Sequence, residues 1–167
     1  MKYCKKIFSH KIIMIAALGF IMIGCSNQSL PSAGQPQILS AIDSGRWVFT
    51  PSQVVPRNGR SQQVNGSSYS ATLKDGKLDV YLPYYGRAYS GIDLLNGRSP
   101  LFFSSSDFSI VKEKKSPGKW AISFRPKDYD NVQSMYFTIF NSGRANVDVV
   151  LTNRSAISFN GSIAPIK

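Results

Sequence analysis

From residue 46 onward, the chain alternates apolar and polar side chains with a period of two residues. This is the period of a β-strand that has one buried face and one exposed face. Turn-forming residues separate the alternating segments. The pattern predicts about eight to nine short strands, at residues 46–53, 69–73, 78–82, 101–104, 107–114, 119–125, 133–141, 145–152 and 154–160.

The segment Lys74-Asp75-Gly76-Lys77 is the clearest turn signal in the chain. An Asp-Gly pair readily adopts the backbone angles of a two-residue hairpin turn. In the segment that follows, Leu78, Val80 and Leu82 share one face of a strand. A tight hairpin is therefore predicted between residues 69 and 82.

A short helical pattern precedes the first strand. Pro36 suits the first turn of a helix, apolar residues share one side of residues 36–44, and Gly45 offers a C-terminal cap. The whole pattern predicts an all-β fold with one short N-terminal helix, in which an antiparallel meander closes into a barrel or a sandwich. A barrel of this size either holds one small ligand or is filled by its own side chains.

The N-terminus has the pattern of an export signal. Four lysines precede an apolar run at residues 12–23, which is shorter than the roughly 20 residues that a transmembrane helix needs. The run ends in Met22-Ile23-Gly24-Cys25, which resembles the lipobox of bacterial lipoproteins. We expect a signal peptide at residues 1–24, lipidation of Cys25, a flexible tether at 25–35 and a single β-barrel domain at 36–167.

Residue types limit the chemistry of the exported domain. The only histidine, His10, lies in the predicted signal, and no cysteine follows Cys25. Catalysis by Ser-His-Asp or Cys-His groups and metal sites built on histidine are therefore excluded. Asp128 and Asp130 have the alternating spacing of calcium ligands but lack the full loop signature. We expect no enzyme activity, no metal and no cofactor, although a hydrolase using two aspartates stays open.

The chain is basic, with a formal net charge of +11 at pH 7. Such charge suits anionic lipid head groups or acidic glycans, and it also simply keeps a domain soluble. An exported domain is not expected to meet nucleic acid. The residues after Cys25 include no acidic cluster, which favours the periplasmic side of the outer membrane over the cell surface.

The segment Tyr81-Leu82-Pro83-Tyr84-Tyr85-Gly86-Arg87-Ala88-Tyr89 is distinctive. Together with the later segments at residues 119–122, 143–145 and 153–161, it resembles a family of Bacteroidetes lipoproteins known as domain of unknown function 4251. The resemblance covers the chain from about residue 38 to its end. It implies a lipocalin-like β-barrel, and it implies no catalytic role because that family has no established activity.

Four residues of this segment are the candidate ligand-binding residues: Tyr84, Tyr85, Arg87 and Tyr89. Tyrosines around an arginine can stack on a sugar ring or bind an acidic group. Alternatively, the segment is a structural corner at the end of a strand, with Gly86 allowing a bend.

These observations predict a membrane-anchored periplasmic lipoprotein without enzyme activity. Its expected role is to bind a small hydrophobic or glycan-like ligand within a barrel. The alternative is an envelope module that interacts with another protein through an exposed surface.

Overall fold

The computed structural model describes residues 35–89 and 99–166. Helix α1 spans Gln35–Ser44. The strands are β1 (Trp47–Pro56), β2 (Gln62–Gln63), β3 (Ser70–Lys74), β4 (Lys77–Tyr81), β5 (Phe102–Ser105), β6 (Phe108–Ser116), β7 (Lys119–Pro126), β8 (Val132–Phe140), β9 (Arg144–Leu151) and β10 (Ile157–Pro165). The predicted signal peptide, Cys25 and the tether up to residue 34 lie outside the described residues.

All ten strands belong to one antiparallel sheet that is curled into a half-barrel. The strand order is β5-β4-β3-β1-β10-β9-β8-β7-β6, and β2 pairs with β1 beside this path. The two outermost strands, β5 and β6, are consecutive in the chain and are separated only by Ser106 and Asp107. The chain itself therefore joins the two edges of the sheet.

The predicted fold class, an antiparallel all-β domain with one short N-terminal helix, is confirmed. Neighbouring strands pair in chain order from β3 to β5 and from β6 to β10. Two features depart from a simple meander: the last strand, β10, pairs with β1, and β5 does not pair with β6 among the described residues. The last strand begins at Ile157 rather than at residue 154, and it continues to Pro165.

Large apolar side chains fill the inside of the half-barrel. Trp47, Phe49, Phe124 and Phe137 are fully buried or nearly so. The ring of Phe137 lies edge-on to the other three, with centroid distances of 5.0 Å to Trp47, 6.0 Å to Phe49 and 5.5 Å to Phe124. Such edge-to-face pairs add to the stability that burial of the rings already gives.

Helix α1 packs on the same core. Ile38 and Ile42 of the predicted apolar stripe are buried, and so is Ala41 beside them. Leu39, the third residue of the predicted stripe, is half-buried. Gly45 ends the helix with a φ of 66°, a left-handed conformation that glycine adopts without a steric penalty. The ammonium group of Lys112 on β6 donates a hydrogen bond to the carbonyl oxygen of Ile42 at 2.7 Å.

A β-bulge interrupts the pairing of β1 with β10. Pro51 pairs with Gly161 and Gln53 pairs with Asn160, so Ser52 is the extra residue. Ser52 is exposed, and its hydroxyl donates to the carbonyl oxygen of Asn160 at 3.2 Å. Because a bulge adds twist and redirects side chains, it shapes the outer face of the sheet at this point.

Candidate functional site

Tyr84 follows β4 and is held in place by hydrogen bonds. Its hydroxyl oxygen lies 2.9 Å from the carbonyl oxygen of Ser155 and 3.1 Å from that of Arg87. The hydroxyl of Ser155 lies 3.1 Å from it as well. Burial raises the pKa of the Tyr84 phenol above its ordinary value. The phenol therefore keeps its proton at neutral pH and can donate to a carbonyl oxygen.

Gly86 allows this arrangement because the Tyr84 side chain folds back over it. A Cβ atom at Gly86 would lie 2.2 Å from the Tyr84 hydroxyl oxygen and 2.6 Å from Ser155 Oγ. Besides allowing a bend, Gly86 therefore leaves room for the Tyr84 ring, which occupies the space that a larger side chain would need.

The backbone after Gly86 is fixed against the connection between β9 and β10. Arg87 donates its backbone N–H to Ser155 Oγ at 3.0 Å, and Ser155 donates its own to the Arg87 carbonyl at 2.9 Å. Ala88 forms an isolated β-bridge with Arg154, and the N–H of Tyr89 donates to the Asn153 carbonyl at 2.9 Å. The segment is thus a rigid corner.

The remaining candidate side chains point away from this corner. Tyr85 is 43% exposed and Tyr89 is 68% exposed, and Arg87 is exposed between them. The guanidinium carbon of Arg154 lies 5.5 Å from the centroid of the Tyr84 ring, a cation–π contact. We call Tyr85, Arg87, Tyr89 and Arg154 the tyrosine–arginine surface. Tyr84 itself supports this surface from below.

The tyrosine–arginine surface and helix α1 lie at opposite ends of β9. Ile38 of the helix contacts the space around Gly143, directly before β9, whereas Ser155 follows the strand. Because β9 has 8 residues and a strand rises about 3.3 Å per residue, the two ends are roughly 26 Å apart.

Asp128, considered above as part of a calcium-like spacing, has a different structural role. Its carboxylate accepts hydrogen bonds from the Ser105 hydroxyl and from the backbone N–H groups of Ser106 and Asp107. These bonds, with that of Ser105 the strongest influence, lower the pKa of Asp128 to about 2. In the part of the chain that the structure describes, no three acidic, His or Cys side chains converge as metal ligands would.

A second site was not predicted from the sequence. It is a groove of about 450 Å³ on the outer face of the half-barrel, where β8, β9, β10 and the bulge of β1 meet. We call it the outer-face groove. Its lining consists of Ser52, Phe140, Ser142, Arg144, Ala145, Asn146, Asn160 and Gly161.

Side-chain amides form a chain along one side of the outer-face groove. Asn146 Nδ2 donates to Asn160 Oδ1, and Asn160 Nδ2 donates to Gln53 Oε1 at 2.7 Å. The ammonium group of Lys119 lies 5.8 Å from the centroid of the Phe140 ring. The sequence could not reveal the amide chain because its three residues come from three strands, and only the register of those strands brings them together.

Among residues 35–89 and 99–166, no helix combines the length and the apolar character needed to cross a bilayer. The described helix α1 has 10 residues and packs on the core of the domain.

Comparison with known proteins gives a family and a fold. The family described as domain of unknown function DUF4251 matches residues 32–163. The chain is also similar to the crystal structure of a DUF4251 family protein from Bacteroides eggerthii DSM 20697, with 17% sequence identity and a TM-score of 0.54. That similarity covers 80% of this chain and 89% of the other. No curated protein matches. The chain therefore belongs to the DUF4251 family.

Proposed function

We propose that this protein is a lipid-anchored module of the bacterial envelope that binds a partner protein through the tyrosine–arginine surface. It is attached to the outer membrane by lipid on Cys25 and faces the periplasm. One observation carries the proposal: Tyr85 and Tyr89 are exposed beside Arg87 on a backbone that is fixed by hydrogen bonds.

The chemistry of this surface suits protein recognition. Tyrosine and arginine are enriched among the residues that contribute most to the affinity of interfaces. Since the corner is already rigid, little conformational entropy is lost when a partner binds. Arg87 and Arg154 favour a partner whose surface is acidic at this point.

The position of the surface also supports this role. The predicted tether leads into α1, and the tyrosine–arginine surface lies about 26 Å away along β9. The surface is thus separate from the point at which the predicted tether enters the domain.

A ligand inside the barrel has less support. A lipocalin-like barrel would hold a hydrophobic ligand in its interior. Here Trp47, Phe49 and Phe137 occupy the interior of the described half-barrel and are fully buried. We therefore place recognition on the outside of the sheet.

The absence of enzyme activity remains part of the proposal. A hydrolase built on aspartates needs two carboxylates that converge in a cleft. Five of the seven described aspartates instead bind different neighbours: Asp75 contacts Arg46, Asp79 contacts Lys77 and Ser104, Asp107 contacts Lys127, Asp128 contacts Ser105, and Asp148 contacts Ser158.

The test is photo-crosslinking in living cells, with a photoreactive amino acid at Tyr89. The matched control replaces Tyr136, which is 41% exposed on the outer face of β8. We expect a distinct protein adduct from position 89 that is missing from position 136 and that Arg87→Glu removes. Equal adducts from both positions, or none from position 89, would contradict the proposal.

A second candidate function is the binding of a glycan-like ligand, and a separate observation favours it. The outer-face groove of about 450 Å³ combines an aromatic ring, an arginine and side-chain amides, and its volume lies within the range of small-molecule pockets, roughly 300–1,000 Å³.

A further inference from the structure

We propose that the ligand of the outer-face groove is an acidic sugar. Its carboxylate would pair with Arg144, its hydroxyl groups would bind Asn146 and Asn160, and the C–H face of its ring would pack on Phe140. This inference deepens the second candidate function and does not depend on the tyrosine–arginine surface.

The amide chain explains why the ligand is a sugar. Asn160 donates to Gln53 and accepts from Asn146, so both ends of its amide are fixed in orientation. The Asn146 carbonyl oxygen is left as an acceptor, and the Asn160 amide keeps a second N–H and a second oxygen lone pair. A hydroxyl both donates and accepts, so a row of sugar hydroxyls complements such an array.

The rotamers of the amides are set before any ligand arrives. Asn146 and Asn160 are cross-strand partners in the pairing of β9 with β10, and Asn160 pairs with Gln53 across β10 and β1. A sheet is a stiff support for binding groups, and groups that are already ordered lose less entropy on binding.

The charge around the groove explains why the sugar is acidic. Arg144 is exposed, and within the described ranges it forms no ion pair. Lys119 adds a second positive charge over the Phe140 ring. The carboxylate of Asp148, which follows Asn146 on the outer face of β9, accepts a hydrogen bond from the Ser158 hydroxyl at 2.5 Å. The groove therefore presents unpaired cations, and arginine binds planar carboxylates through two parallel hydrogen bonds.

The aromatic ring of Phe140 explains why the proposed ligand contains a sugar ring. Phe140 is half-buried and ends β8, directly before the turn that leads to Arg144. A pyranose presents a face of C–H groups, and packing this face on an aromatic ring removes apolar surface from water. Phe140 and Arg144 both line the groove, so one sugar residue can contact both.

The experiment is isothermal titration calorimetry on the full lipidated chain in detergent micelles. The probes are trigalacturonate and its methyl ester, which has the same shape but no charge, together with sialyllactose as a second acid. We expect an acid to bind and its uncharged form to bind about tenfold more weakly or worse, since hydrogen bonds between charged groups are the stronger ones.

Variants assign the binding to the groove. Arg144→Gln is expected to lower the affinity for the acid by about tenfold and to leave the affinity for the methyl ester unchanged. Arg57→Gln, an exposed arginine in the β1–β2 loop, is the charge-matched control and should leave both probes unchanged. Phe140→Leu should weaken both probes.

Three results would contradict the inference, and each has a different consequence for the proposed glycan site. Equal affinity for acid and ester would keep a glycan site but remove the acidic assignment. No binding of either acid at millimolar concentration would remove the second candidate function as well. Binding of the acid that resists Arg144→Gln but is lost in Arg87→Gln would move the ligand to the tyrosine–arginine surface.

Discussion

Asp128 Oδ1 accepts a hydrogen bond from the hydroxyl of Ser105 at 2.5 Å. Its other carboxylate oxygen accepts the backbone N–H groups of Ser106 at 2.9 Å and of Asp107 at 3.2 Å. Ser105 ends β5 and the next two residues lead into β6. A single side chain from the β7–β8 loop therefore fixes the joint at which the chain passes from one edge of the sheet to the other.

Replacement of Asp128 by alanine should lower the free energy of unfolding at pH 7. The hydrogen bonds favour the ionised carboxylate, and they hold its pKa at about 2 in the folded protein. Because this value lies below the unfolded value of about 3.9, the stabilisation is fully present above about pH 4 and is lost as the pH falls toward 2. Urea unfolding of both proteins between pH 7 and pH 2 measures the difference.

The matched control for this prediction is Asp130→Ala, a carboxylate in the same loop. Only the backbone carbonyl of Asp130 takes part in a hydrogen bond in the described structure, with the Thr152 hydroxyl. This variant should unfold at nearly the wild-type urea concentration. A pH-independent loss of stability in Asp128→Ala would show that packing, and not the ionised carboxylate, holds the joint.

Gly86→Ala should destabilise the corner below the tyrosine–arginine surface. The new Cβ atom would lie 2.2 Å from the Tyr84 hydroxyl oxygen, so the ring must move and its hydrogen bonds to Ser155 must break. A forced rearrangement of this kind costs about 1–3 kcal/mol. Chemical denaturation measures the loss.

A double-mutant cycle identifies the cause of that loss. In a Tyr84→Ala background the ring that collides with the new methyl group is gone, so Gly86→Ala should cost much less than in the wild type. Equal costs in both backgrounds would place the collision at Ser155 Oγ, 2.6 Å from the new Cβ atom, and not at the Tyr84 ring.

The β3–β4 hairpin shows what the sequence could predict. Asp75 and Gly76 have φ angles of 51° and 77°, and Lys74 pairs with Lys77 across the turn. All the information for this turn lies in two adjacent residues, because Asp and Gly tolerate positive φ. The alternation of Leu78 and Val80, both buried, likewise reports the buried face directly.

The two candidate sites could not be predicted in full, because their residues are far apart in the sequence. The Tyr84 hydroxyl binds Ser155, 71 positions later, and Asn160 binds Gln53 at a separation of 107. Such partners depend on the return of β10 to β1 and on the bulge at Ser52. The sequence could identify Tyr84 as a candidate residue. It could not show whether Tyr84 binds a ligand or supports the corner, because this depends on the residues that contact its ring and hydroxyl.

Lipidation of Cys25 is a prediction from the sequence pattern and can be tested directly. Cells grown with an alkyne-tagged fatty acid should label the wild-type chain, and Cys25→Ser should abolish both the label and membrane association. One acyl chain gives only marginal membrane binding, whereas several give stable anchoring. Cys4→Ser, which alters the other cysteine, is the control and should leave the label intact. A membrane-bound, unlabelled wild-type chain would contradict the prediction.

Lys112→Met should make local unfolding of helix α1 more frequent. Lys112 Nζ donates to the Ile42 carbonyl at 2.7 Å, and its positive charge lies at the C-terminal end of the helix dipole. Methionine keeps much of the aliphatic length but removes both interactions, which is expected to cost about 1 kcal/mol. Hydrogen exchange in α1 should accelerate in this variant. Lys114→Met, two residues further along β6, removes the same charge without this contact, so equal acceleration in both variants would attribute the effect to net charge instead of the cap.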